Sequence, residues 1–112
     1  MSRAYFIAGT DTDVGKTTIA AGLLNAARQS GLSTLAGKPV ASGCSVTSGG
    51  LRNPDALALM AESSIALSYD EVNPFAFEPA IAPHLAAREA GVALTVQALL
   101  GPMRLVLARN AD

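Results

Sequence analysis

Gly9-Thr10-Asp11-Thr12-Asp13-Val14-Gly15-Lys16-Thr17-Thr18 is the stretch on which the reading of this 112-residue sequence turns. Before it stands Arg3-Ala4-Tyr5-Phe6-Ile7-Ala8, a short apolar and aromatic run ended by Gly9, the pattern of a strand buried on both faces. After it, residues 16–30 change to helix-forming Ala, Leu, Gln and Arg. Ile19, Leu23, Ala26 and Ala27 form one stripe there, and Gly31 is placed to end the helix in the left-handed conformation. Strand, loop and helix in this order resemble a P-loop. The strict form GxxxxGK[ST] is missed by one residue, because Thr10 fills the slot of the first glycine and Gly9 comes one position early. The physics is intact: successive N–H groups from Thr12 to Lys16 can wrap an anion, and the positive end of the helix points at it. Lys16 would neutralise the β and γ phosphates of a nucleotide, and the Thr17 hydroxyl would ligate Mg²⁺. The bland alternative is an ordinary strand-to-helix turn that happens to contain Gly-Lys-Thr; the position of the motif between strand and helix favours phosphate.

Working outward, residues 32–40 resume an apolar run (Leu35, Ala36, Val40), so the first forty residues predict a βαβ unit with a right-handed crossover and two parallel strands. Residues 41–53, rich in Ser and Gly and without periodicity, read as a loop over the strand ends. Asn53-Pro54-Asp55 is a helix start, with Asn as N-cap and Pro at the first helical position, and it puts Asp55 in the first turn. Residues 72–77 read as a third short strand, and Pro83-His84 opens a helix through Glu89 with Gly91 behind it. Thr95 can cap a last helix towards Asn110, which Gly101-Pro102 should kink or split. The expected fold is α/β, a P-loop NTPase-like parallel sheet flanked by helices. The order of elements makes residues 1–112 the first part of one such domain, with a sheet edge left open.

Composition narrows the function classes. Half the residues are hydrophobic and 15% are charged, which excludes disorder. A net charge of −1 offers no general attraction to nucleic acid or to an anionic membrane, so an anion site has to be built locally. No apolar run approaches the roughly 20 residues of a membrane-spanning helix, no targeting segment stands out, and a lone Cys44 fits a reducing compartment, so a cytoplasmic protein is expected. No spacing of Cys and His makes a transition-metal site, and the metal implied is Mg²⁺ on oxygen ligands and nucleotide.

Lys16 and Lys38 are the only lysines; every other positive side chain is Arg. A compact ammonium suits a phosphate or carbamate clamp, and Lys38 lies near the end of the second expected strand, where α/β folds place ligand groups. A lysine snorkelling from a strand end is the bland alternative. For Asp55 the bland reading is a charge favoured by the helix dipole, and Ser42 and Ser45 read first as turn residues. The single His84 follows Pro83 without a paired acid at local spacing, so a general-base role has little support.

Together the blocks around these residues resemble the dethiobiotin synthetase family. They are Gly9 to Thr17, Lys38-Pro39-Val40-Ala41-Ser42-Gly43, Leu51-Arg52-Asn53-Pro54-Asp55-Ala56-Leu57, Val72-Asn73-Pro74-Phe75-Ala76-Phe77 and Pro83-His84-Leu85-Ala86-Ala87. The resemblance implies ring closure in biotin biosynthesis: 7,8-diaminopelargonate takes up CO₂ as a carbamate, ATP phosphorylates it, and the second amine displaces phosphate. By the same resemblance Asp13, Val14, Gly15, Lys16, Thr17 and Thr18 line the ATP phosphates. Asp55 joins Thr17 as a Mg²⁺ ligand and also contacts nucleotide, Lys38 is catalytic, and Ser42 and Thr12 approach the diamine. A homodimer is implied likewise. A partition-ATPase-type nucleotide switch is the competing reading, and it has no need of a carbamate clamp at Lys38 or of Ser42; an inactive remnant is a third.

Members of that family run to about twice this length and continue into a Val-Glu-Gly-Ala-Gly-Gly-like segment that this sequence does not contain. The expectation is therefore that the purified 112-residue chain forms no dethiobiotin from ATP, CO₂ and the diamine. A product peak above the no-enzyme control by mass spectrometry would overturn it.

Overall fold

A computed structural model of the chain describes residues 3–8 and 15–112. The predicted residues Thr12, Asp13 and Val14, with the rest of 9–14, lie outside the described residues. Helix α1 (Lys16–Gln29) begins after Gly15, whose φ of 91° is a left-handed conformation a side chain would resist. It ends as predicted: Gly31 is left-handed at φ 86°, and the Gly31 and Leu32 N–H groups donate to the Arg28 and Ala27 carbonyls at 3.0 Å each.

The sheet is smaller than expected and differently paired. Strand β1 (Val40–Ala41) runs parallel to the fourth strand, β4 (Phe75–Ala76), in the register Val40 to Phe75 and Ala41 to Ala76. The bonds Phe75 N–H to Pro39 O, Phe77 N–H to Ala41 O and Gly43 N–H to Pro79 O carry the pairing to either side. Between these strands lie β2 (Ser45–Thr47) and β3 (Gly50–Arg52), an antiparallel hairpin where a loop was expected. Its turn is stabilised by the Thr47 hydroxyl, which donates to Gly50 O at 2.7 Å and accepts from Gly49 N–H. Side-chain periodicity could not reveal this hairpin, because both of its faces are largely exposed.

Two further expectations are corrected. Residues 3–8, read as the first strand, have no regular structure, and Tyr5 and Phe6 are 79% and 92% exposed. A strand exists only through a ladder partner, and no ladder among the described residues runs along this segment. Residues 32–39, read as most of the second strand, bond to helix ends and the loop after α2 instead: Thr34 N–H donates to Ser64 Oγ at 2.7 Å, Thr34 Oγ1 to Glu62 O, and Lys38 N–H to Val72 O at 2.8 Å. The βαβ unit of the first forty residues is accordingly absent among the described residues, although the architecture remains α/β with helices beside a parallel pair.

Helix α2 (Pro54–Ala61) and the short α3 (Tyr69–Val72) enclose one core of Ala56, Tyr69 and Val72, with Met60 and Leu67 against it. Val72 is fully buried, and burial of a valine side chain is worth about 1.5–3 kcal/mol. Helix α4 (Pro83–Glu89) covers β4 through Phe77, Ala86 and Ala87. Helix α5 (Val96–Leu107), capped by Thr95 as predicted, continues as one helix through Pro102, which removes one hydrogen-bond donor from the helix interior. Arg28 and Asn25 fasten α1 to α2 through the Glu62 carboxylate and the Ala61 carbonyl, yet Ile19 and Leu23 on the predicted apolar stripe stay more than half exposed. No described helix is long and apolar enough to cross a membrane.

Ser68-Tyr69-Asp70-Glu71 forms a capping box at α3: Glu71 N–H donates to Ser68 Oγ, and Ser68 N–H donates to the Glu71 carboxylate. The same carboxylate accepts from Arg109 beyond α5. The Ser68 backbone N–H first and Arg109 second hold the Glu71 carboxyl below its ordinary value of 4.5. A depressed carboxylate pKa stabilises the fold above the unfolded value, and that contribution is lost as pH falls through the folded one. The difference in Tm between wild type and Glu71→Gln is therefore expected to be full above pH 4.5 and to close as the pH is lowered. A difference that stays constant across an acid titration followed by circular dichroism would count against this.

Candidate phosphate and carbamate site

Lys16 and Thr17 are the first two residues of α1, half-buried, with Thr18 exposed behind them and left-handed Gly15 in front. No acidic side chain lies in the first turn of this 14-residue helix, whose positive end favours an anion. The structure thus puts Gly15, Lys16, Thr17 and Thr18 at one helix start, where the sequence had placed them.

Lys38 lies two residues before β1, and its main chain is fixed on both sides. Its N–H donates to Val72 O at 2.8 Å, and its carbonyl accepts from Asn73 Nδ2 at 2.8 Å. Its ammonium lies 3.9 Å from Asp55 Oδ2, with the two side chains 31% and 50% exposed. An ion pair so open to water contributes about 0–1 kcal/mol, so it does little to hold the fold and leaves both charges available to a ligand. Two residues singled out separately in the sequence are thereby brought together. Ser42 is half-buried directly after β1, at the end of the strand opposite to Lys38, which precedes it rather than standing at its carboxyl end as expected. Its neighbour Ser45 opens β2 rather than making a turn.

Asp55 is held by the start of α2. Asn53 is the N-cap and its side chain accepts from Ala56 N–H at 3.1 Å, with Pro54 at the first helical position. The Asn53 main-chain N–H donates to the Tyr69 hydroxyl at 2.7 Å, and that hydroxyl donates to Asn73 Oδ1 at 2.7 Å. Asn73 is 1% exposed, and its Nδ2 also donates to Phe75 O at 3.3 Å. Arg52 lies over the Tyr69 ring, 4.2 Å from its centroid. Burial is the main cause that raises the pKa of the Tyr69 hydroxyl, so it stays protonated as a donor.

Sequence reasoning recognised Asn53 only as a cap and gave Tyr69 and Asn73 no role. A usable signal was Ser68-x-x-Glu71, a capping-box pattern that predicts the short helix bringing Tyr69 and Asn73 one turn apart. Cys44 lies in the connection between β1 and β2 and is buried; burial first pushes its thiol up, against opposing effects of a Phe77 hydrogen bond and the Lys38 charge. The burial favours the protonated thiol. His84 stands exposed at the second position of α4. A shallow apolar cleft of about 480 Å³ beside β4, lined by Leu51, Phe77, Pro79, Ala86 and Val92 among others, contains none of the predicted site residues.

The chemistry of the donors suits Mg²⁺. The Thr17 hydroxyl and the half-exposed Asp55 carboxylate are hard oxygen ligands, and among the described residues no group of three or more His, Cys, Asp or Glu could hold a metal. Mg²⁺ commonly takes only one or two protein oxygens and completes its shell with water and substrate phosphates.

A family model described as an AAA domain matches residues 3–110. Curated relatives described as ATP-dependent dethiobiotin synthetase BioD resemble nearly the whole chain. The Pseudomonas paraeruginosa protein is 68% identical over 109 residues, which are 97% of this chain and 48% of the relative. The Pseudomonas aeruginosa protein of strain UCBPP-PA14 is 66% identical over the same shares, and that of Cellvibrio japonicus is 56% identical over 98% of this chain and 48% of its own. The chain spans about half the length of the curated relatives it matches. The family resemblance read from the motif blocks is borne out.

Replacement of Asn53 by Ala removes the α2 cap and is expected to lower stability by about 1–2 kcal/mol in urea titrations, with Asn53→Asp retaining most of it. A loss within the about 0.5 kcal/mol typical of surface substitutions would show that the cap does not hold this helix start.

Proposed function

The chain belongs to the AAA domain family, and from that membership we propose that it is the N-terminal part of an ATP-dependent dethiobiotin synthetase of biotin biosynthesis, one P-loop domain of which residues 1–112 form the first portion. The observation that carries the reading is the approach of Lys38 to Asp55, 3.9 Å apart, on a fold whose α1 start presents Lys16 and Thr17.

In this reading Asp13, Val14, Gly15, Lys16, Thr17 and Thr18 surround the ATP phosphates, with Lys16 as the point charge and backbone N–H groups as the cradle. Thr17 and Asp55 would hold Mg²⁺, and the ion would supply positive charge against the phosphates. Ser42 and Thr12 contact the diamine, 7,8-diaminopelargonate. One amine of that substrate adds to CO₂ and loses a proton to give a carbamate, whose oxygen takes the γ-phosphoryl group of ATP with release of ADP. The second amine then attacks the carbonyl carbon, phosphate leaves with the bonding pair, the attacking nitrogen loses a proton, and the ureido ring closes. Lys38 stabilises the carbamate and the charge that grows on the transferring group, a fixed electrostatic role that costs no reorganisation at the moment of reaction. A cytoplasmic homodimer without nucleic-acid or membrane partners completes the proposal.

Lys38→Ala in the whole protein is expected to lower ring closure by about 100-fold or more while ATP affinity stays within about threefold of wild type. Undiminished dethiobiotin formation per bound ATP, followed by chromatography beside a nucleotide-binding titration, would refute the assignment and favour the nucleotide-switch reading.

A further inference from the structure

The Lys38–Asp55 pair cannot hold its own geometry. At 3.9 Å and with side chains 31% and 50% exposed, it is too weak to fix two flexible heads against solvent. The groups beneath it are of another kind. Asn73 and Tyr69 are 1% and 7% exposed, every link among them is a direct hydrogen bond, and no buried side-chain polar atom among the described residues lacks a partner. The path runs from the Lys38 carbonyl to Asn73 Nδ2, from Asn73 Oδ1 to the Tyr69 hydroxyl, and from that hydroxyl to the Asn53 N–H, one residue before the helix turn that bears Asp55.

We propose that Tyr69 is a positioning residue: its hydroxyl, working with the Asn73 amide, joins the Lys38 main chain to the first turn of α2 and so sets the separation at which Lys38 and Asp55 meet their ligands. The hydroxyl has one lone pair engaged by Asn53 and its proton engaged by Asn73, so its removal unpairs both sides of the frame at once. The Arg52 guanidinium packs against the ring, 4.2 Å from its centroid. The inference rests on the reading of Lys38 as the residue that meets the carbamate.

The test compares Tyr69→Phe and Lys38→Ala in the whole protein. Steady-state ring closure is measured and normalised to the number of ATP-binding sites found by titration. For Tyr69→Phe the expected result is a fall in kcat per site of about tenfold or more with KM for ATP within about twofold, because a small displacement of a charge matters most in the transition state. A hydroxyl needed only for structure would reduce the number of sites and leave kcat per site unchanged; that result overturns the proposal. Normal kcat for Tyr69→Phe beside an inactive Lys38→Ala overturns it alone and leaves the assignment of Lys38 standing. Normal activity of Lys38→Ala removes that assignment and the proposal together. Should Tyr69→Phe fail to fold, Asn73→Ser releases the Lys38 carbonyl with the tyrosine in place, and the same split between kcat and KM is expected. Failure of both variants to fold would give the network to folding alone and overturn the proposal.

Discussion

A single buried amide, the side chain of Asn73, is the constraint on which much of this structure depends. It sits where α3 ends and the chain turns towards β4, and it is 1% exposed. An amide so placed must find partners for its donors and acceptor or cost the fold about 1–3 kcal/mol for each unpaired group. It finds them in three directions: the Lys38 carbonyl before β1, the Phe75 carbonyl in β4 and the Tyr69 hydroxyl in α3. The short parallel pair and the helix core beside it are thus joined through polar contacts, with Tyr69 and Val72 supplying the apolar burial around them.

That arrangement explains why a weak surface ion pair can have a defined geometry. Lys38 and Asp55 are exposed enough to exchange each other for a ligand, and their attraction is screened by water and salt. Their backbones are nevertheless held by bonds of 2.7–3.1 Å that solvent does not reach readily. Rigid support beneath and accessible charge above is the combination that charge stabilisation in phosphoryl transfer requires, since donors that must reorganise during the reaction forfeit much of their effect.

Local rules were reliable wherever one residue settles one backbone conformation. Gly31 and Gly91 follow helix ends with positive φ, and Asn53-Pro54 and Thr95 open helices with the expected side-chain caps. They failed where a partner had to be chosen. Tyr5-Phe6-Ile7 has the composition of a buried strand and lies exposed and unpaired with any described strand, because composition states what a segment can bury but not which ladder receives it. Residues 45–52 have the composition of a loop and form a hairpin, because a ladder needs only backbone groups and a turn. Of the candidate site, the helix start at Lys16 and Thr17 was legible from the motif, whereas Tyr69 and Asn73 were not, their importance lying in contacts made at separations of 16 and 35 residues.

By itself, the sequence determined the starts of α1, α2, α4 and α5, the Gly-Lys-Thr motif at the first of them and the charged residues worth attention, because caps, left-handed glycines and helix periodicity act within a few neighbouring residues. Only the tertiary structure decided that β1 pairs with β4, that Lys38 stands 3.9 Å from Asp55, and that one tyrosine and one asparagine link their supports. Those facts depend on which distant groups satisfy one another's hydrogen bonds once water is excluded, and that choice is made by the whole packed chain.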